Sequence, residues 1–213
     1  MLVVEGPDLV GKSTLVETLQ RAVGQKAPSR AIRRQHFGKL PSEWQYPGSY
    51  FRYIRPWTIC DRLHLSELFY GWYLRDGSNL SPEDMHLLDG MIRAAGGMVV
   101  TVSAVPGVYN GIIIDHFDPA DHPTVEGEAQ LHGHRMAEIN KAFYRLHCDG
   151  RNNRPVEDPR FFLPVDYKRL VGAYNNHKVL WPSMDKRFVD MVADRYVKLQ
   201  TRMEEVLEET AIR

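Results

Sequence analysis

Lys12 and Ser13 close the run Gly6-Pro7-Asp8-Leu9-Val10-Gly11-Lys12-Ser13-Thr14, which has the spacing G-x-x-x-x-G-K-S. That spacing suits a polyphosphate. Backbone N–H groups of a glycine-bounded loop converge on one point, and the positive end of a following helix adds to them. Gly6 and Gly11 permit the tight turn and the close backbone approach. Gly6, Val10, Gly11, Lys12, Ser13 and Thr14 are therefore the candidate phosphate-binding residues. Lys12 is suited to the outer phosphates and the Ser13 hydroxyl to Mg²⁺. A second pair, Asp61-Arg62, follows the apolar run Trp57-Thr58-Ile59-Cys60. An acid at the carboxyl end of a strand lies where ligands bind in open α/β sheets, which makes Asp61 a candidate site residue. The plainer alternative for Asp61-Arg62 is a structural ion pair.

These residues need a strand–loop–helix frame, and the flanking sequence supplies one. Met1-Leu2-Val3-Val4 reads as a buried strand; Leu15, Leu19 and Val23 mark the apolar side of a helix. A second strand is predicted over Ala31–Phe37, a short helix around Tyr50–Arg55, a third strand over Trp57–Asp61, and a helix over Leu63–Tyr73. Ser81-Pro82-Glu83-Asp84 reads as a helix start that runs to Ala95 and ends at Gly96-Gly97. Met98–Val102 is a fourth strand. Gly111–Gly127 reads as an Asp-, His- and Pro-rich irregular stretch, followed by a helix to His147. Lys178–Trp181 is a short last strand, and Asp185–Glu209 a long helix. Its stripe of Val189, Val192, Tyr196, Leu199, Met203 and Val206 either packs on the chain's own sheet or forms a homodimer seam. Helices between strands imply an α/β three-layer sandwich, with a central parallel sheet of about five strands flanked by helices. Residues 1–213 read as one domain, with a lid or insertion within 111–177.

The chain has 213 residues, 43% of them hydrophobic, which is enough for one core. Lys plus Arg and Asp plus Glu number 27 each, so a protein held on nucleic acid by bulk charge is disfavoured. Cys60 and Cys148 form no CxxC pair, and no disulfide framework is expected. The strand at Met1 leaves no room for a leader, and no apolar run approaches a membrane span. A cytoplasmic protein without membrane contact is the expectation.

The loop, together with Asp61-Arg62-Leu63-His64-Leu65-Ser66-Glu67-Leu68-Phe69-Tyr70-Gly71, resembles the thymidylate kinase and deoxynucleoside kinase superfamily. The resemblance is strongest over residues 1 to about 75. It implies an ATP- and Mg²⁺-dependent kinase of a nucleoside or nucleotide, located in the host cytoplasm if viral. Within it, Asp8 matches the carboxylate that touches the acceptor's deoxyribose. Asp61 matches the acid near Mg²⁺ and the attacking oxygen, and Arg62 the arginine between acceptor and transferring phosphate. Phosphoryl transfer needs in-line positioning and positive charge more than covalent help, which suits these residue types. Lys12, Asp61, Arg62 and Asp8 are thus the candidate catalytic residues; Asp8, Phe51, Arg52, Arg55, Arg62 and Glu67 are the candidate acceptor-binding residues.

Three departures from the family pattern stand out. The lid region Ile112–Arg135 carries only Arg135, with Arg145, Arg151 and Arg154 later in the chain. The glutamate base expected after the second strand is replaced by His36-Phe37-Gly38-Lys39. The segment between the second and third strands is short. There Tyr50, Phe51 and Tyr53 either stack on a base or belong to the core, and Arg52 and Arg55 share a side if helical.

Asp115, His116, Asp118, Asp121, His122 and Glu126 form either a metal cluster or a solvated loop. His132 and His134 suit a lid or the surface, and Cys148 is an ordinary thiol. Two other functions fit the same motifs. One is a kinase of modified bases such as 5-hydroxymethyluracil, with DNA as acceptor; the other is a nucleotide-binding module with little transferase activity.

Overall fold

Five short strands form one all-parallel sheet, in the order β2-β3-β1-β4-β5. The computed structural model describes residues 1–37, 47–74, 78, 80–116, 126–147, 177–180 and 184–211. β1 (Leu2–Glu5), β3 (Thr58–Asp61) and β4 (Met98–Ser103) are buried at every residue. Continuous apolar runs of this kind belong to strands covered on both faces. β2 (Arg33–His36) and β5 (His177–Leu180) are the two edges. Arg33 and Arg34 interrupt the apolar pattern of β2 because they face solvent.

α1 (Lys12–Lys26) packs on β1 and β3 and against the long α7 (Lys186–Ala211). α3 (His64–Leu74) and α5 (Pro106–His116) pack on α6 (Glu126–His147), which lies on β4. α2 (Pro47–Phe51) and α3 both meet α4 (Pro82–Ala94). Local chemistry sets several of these boundaries. Ser81 and Asp84 form a reciprocal capping box at the start of α4, and Gly96 takes φ +63° just beyond its end. Asp185 caps α7 through Phe188 N–H at 2.9 Å. Gln200 of α7 binds Trp57 N–H and the carbonyls of Ala95 and Gly96, tying the chain together below the sheet's amino-terminal edge.

Three expectations need correction. The third strand starts at Thr58, because Trp57 sits at φ +52° and its N–H is taken by Gln200. The short helix is Pro47–Phe51, so Arg52 and Arg55 do not share a helical face. The irregular stretch does not begin at Gly111: α5 runs from Pro106 to His116, with proline in its first turn and Tyr109 and Ile112 buried three residues apart. In the stripe of α7, Val189, Val192 and Tyr196 are core and Leu199 is partly buried, whereas Val206 is 46% exposed.

No helix among the described residues is long and apolar enough to cross a membrane. Phe117–Val125, Cys148–Asn176 and Trp181–Ser183 lie outside the described residues. With them fall Asp118, Asp121, His122, Cys148, Arg151 and Arg154; the side chains of Asp115, His116, Glu126, His132 and Arg145 are likewise outside the description.

Candidate functional site

β1 runs straight into the glycine loop, and the loop is held from three sides. Val10 is completely buried and anchors its centre. Gly6 lies against the backbone of β4: a Cβ there would collide with the Val102 carbonyl. The Tyr109 hydroxyl of α5 donates to the Asp8 carbonyl at 2.9 Å. Leu9 and Gly11 both adopt left-handed backbone, at φ 64° and 71°. Gly11 precedes α1 and brings no side-chain cap, so the first N–H groups of α1 are left for another acceptor. Lys12 is buried on the first turn, while Ser13 and Thr14 are exposed.

The Lys12 ammonium donates to the Pro7 carbonyl and lies 3.8 Å from the Asp8 carboxylate. Burial pulls its pKa down to about 8, against the opposing pull of Asp61 and Glu5. The lysine therefore folds back over the loop and holds a charge that the protein solvates poorly.

The end of β3 meets this loop. Asp61, 1% exposed, accepts a hydrogen bond from Ser13 Oγ at 2.9 Å through Oδ2. His36 Nδ1, at the end of β2, lies 3.2 Å from the same oxygen. The other oxygen, Oδ1, is buried with no hydrogen-bond partner among the described residues. Arg62 turns the chain at φ 70° while its N–H donates to the Val4 carbonyl at 2.8 Å. Its guanidinium pairs with the Asp8 carboxylate and lies over the Tyr70 ring, 4.7 Å from the centroid. Arg62 Nε and the Tyr70 hydroxyl are buried without hydrogen-bond partners among the described residues. Lys12, Ser13, Asp61, Arg62 and Asp8 thus come together at the carboxyl ends of β1 and β3.

The remaining candidates are placed differently. Tyr50 is a fully buried core residue, which settles its two readings in favour of packing. Phe51 is partly buried against the core, and Tyr53 packs edge-on to Phe37 with centroids 4.5 Å apart. Arg52 and Arg55 are exposed, and their Nε groups donate to the Ser49 and Arg52 carbonyls. Glu67 is buried in the first turn of α3. Arg135 is half-buried on α6, and among the described residues no hydrogen bond or ion pair joins it to the loop or to Asp61. α6 itself is fixed to β4: Asn140 binds both the N–H and the carbonyl of Ala104, at 3.0 and 2.9 Å.

Four neighbours of the site were not singled out from the sequence for the contacts they make: Glu5, His36, Tyr70 and Tyr109. The register of β2 on β3, which pairs His36 with Asp61, could have exposed His36. Glu5 carried a signal too, as an acid inside an apolar strand.

The oxygen donors fit a hard divalent cation. Ser13 Oγ and the Asp61 carboxylate are adjacent, and Asp61 Oδ1 is a buried acceptor without a hydrogen-bond partner among the described residues. Among the described residues, no group of three or more His, Cys, Asp and Glu forms a separate metal cluster.

Sheet order, glycine loop and flanking helices define a P-loop-like α/β sandwich. No protein-family model matches the chain, and no curated protein sequence matches it. Among solved structures the chain is similar to the YorR protein of Bacillus subtilis, crystallised in complex with phosphorylated GDP. The TM-score is 0.53 at 18% identity, covering 90% of this chain and 92% of that one. The likeness is one of fold.

Proposed function

We propose that this chain is a thymidylate-kinase-like phosphotransferase. In this reading it takes the terminal phosphoryl group of ATP, with Mg²⁺, to a nucleoside or nucleotide acceptor, a deoxynucleoside monophosphate being favoured. The observation that carries the reading is the 2.9 Å hydrogen bond between Ser13 and Asp61, which joins the phosphate loop to the acid–arginine pair. A protein of the same fold crystallised with phosphorylated GDP adds support for a nucleotide ligand.

The loop N–H groups and Lys12 hold the donor's phosphates. Lys12 exchanges the Pro7 carbonyl for a phosphate oxygen that satisfies its buried charge better. Ser13 and Asp61 hold Mg²⁺, which supplies charge neutralisation on the phosphate oxygens. Asp61 orients the acceptor oxygen or takes its proton. That oxygen bonds to the terminal phosphorus as the bond to the leaving diphosphate breaks. Arg62 leaves its pairing with Asp8 to stabilise charge on the equatorial oxygens, and Asp8 is then free to receive an acceptor hydroxyl. Glu67, Phe51, Arg52 and Arg55 are the acceptor-side candidates in this reading, and Arg135 is the lid candidate.

The test is γ-labelled ATP offered with deoxynucleosides, deoxynucleoside monophosphates, and DNA bearing normal or hydroxymethylated bases. Label in a diphosphate product supports the favoured acceptor. Label in DNA moves the reading to a base kinase. ATP turnover that no acceptor accelerates defeats it in favour of a nucleotide-binding module.

A further inference from the structure

Glu5 is the last residue of β1 and is completely buried, yet its carboxylate points across the sheet rather than into the phosphate loop. Its two oxygens accept from Leu63 N–H at 2.9 Å, Leu65 N–H at 3.1 Å, Ser66 N–H at 3.1 Å and Ser66 Oγ at 2.5 Å. These are the donors that open α3. The residue before α3 is Leu63, whose side chain has no acceptor, so the helix lacks a local cap. Glu5 supplies one from another strand, 58 residues earlier than Leu63.

The consequence lies in what sits on that turn. Only Arg62 and Leu63 separate β3 from α3. Arg62 holds left-handed backbone there, and Tyr70, whose ring lies under its guanidinium, is carried by α3. One end of the Glu5 backbone continues into Gly6, and so into the loop. The same residue thus fixes the donor-side loop and the acceptor-side turn to each other. A buried carboxylate is costly, and burial is what pushes its pKa up to about 7 despite four hydrogen bonds. A structural cap alone would need only a local serine or aspartate.

We propose that Glu5 is a positioning residue: it holds the Arg62 turn and α3 in register with the phosphate loop, so that Arg62 meets the transferring group. The proposal rests on the phosphotransferase reading above. Its test is Glu5→Gln, which keeps shape but offers one acceptor oxygen, with Ser66→Ala as the milder second variant. Amide hydrogen exchange is read residue by residue, alongside the ATP dissociation constant and kcat.

Glu5→Gln is expected to speed exchange at Leu65–Phe69 about tenfold, as for a lost cap, while α1 keeps its protection. ATP affinity should stay within about threefold while kcat falls about a hundredfold, since misplacement acts on transfer and not on donor binding. Ser66→Ala should show the same split, smaller, and add nothing to Glu5→Gln. Unchanged exchange at α3, or equal loss of α1 protection and ATP affinity, overturns the proposal; so does wild-type kcat in Glu5→Gln. If the wild type itself transfers no phosphoryl group, the phosphotransferase reading fails separately, and the exchange comparison still decides whether Glu5 holds the turn.

Discussion

Ser13 Oγ and Asp61 Oδ2 lie 2.9 Å apart although 48 residues separate them in the chain. Parallel pairing brings them together: Val4 is in register with Asp61 on the neighbouring strand, so both chain ends leave the sheet at the same height. Their contact makes the loop and the acid one site.

Lys12 gives a pH signature. Its pKa in the free protein is about 8, held down by burial, and a bound polyphosphate stabilises the charged form. A group whose pKa rises on binding keeps affinity constant below its free value and weakens it above. ATP affinity should therefore be flat below pH 8 and decline beyond it, with proton uptake on binding. Calorimetry in buffers of different ionisation enthalpy measures both. Affinity that is flat to pH 9.5, about one and a half units above the free value, would contradict this role.

Asp61 separates function from stability. One of its oxygens is buried without a hydrogen-bond partner among the described residues, so part of its desolvation goes uncompensated in the free protein. Asp61→Asn should leave the melting temperature equal or higher, yet lower phosphoryl transfer by about a hundredfold or more. A purely structural ion pair would show the reverse, with stability lost and any turnover little changed.

Leu9 stores strain at the tip of the loop. Left-handed backbone costs a non-glycine residue about 1–2 kcal/mol, and glycine's extra unfolded-state freedom returns about 0.5–1 kcal/mol of that. Leu9 is 45% exposed at φ 64°, so little packing is lost on truncation. Leu9→Gly should raise stability by about 0.5–1 kcal/mol, read from the urea midpoint at constant slope. A lower midpoint would show that the exposed leucine makes contacts of its own.

Glu5 links stability to acid. Its pKa is raised from 4.5 to about 7, so the folded protein binds more protons than the unfolded chain between those values. The stability it contributes is fully present below pH 4.5 and is lost as pH rises through 7. The stability difference between wild type and Glu5→Gln should decline by up to an order of 3 kcal/mol across that window. Denaturant melts at closely spaced pH values give the curve; a difference that grows with pH would mean the carboxylate is stabilised as an anion.

The glycine loop was legible because its chemistry is local: the glycines, Lys12 and Ser13 follow one another between a buried strand and an amphipathic helix. Asp61-Arg62 was legible as a strand end. The partners that complete the site were not, since each arrives across the sheet. His36 faces Asp61 through strand register, Tyr109 reaches Asp8 from a helix 101 residues on, and Glu5 caps a helix whose own sequence lacks a cap. α5 was missed for a different reason: its Gly111 and Ile112-Ile113-Ile114 carry weak helix propensity, and packing on α6 overrides it. Trp57 misled the strand boundary because a tertiary hydrogen bond, not β propensity, fixes its backbone.

The division of labour between loop and arginine is tested most directly by measuring ATP–Mg²⁺ binding and phosphoryl transfer on the same samples of wild type, Lys12→Ala and Arg62→Ala. Lys12→Ala should lose ATP affinity and transfer together. Arg62→Ala should bind ATP within about threefold of wild type while transfer falls about a thousandfold, as for loss of a charge met only in the transition state. Wild-type transfer in Arg62→Ala, or ATP binding untouched in Lys12→Ala, would contradict the assignment of this site to phosphoryl transfer.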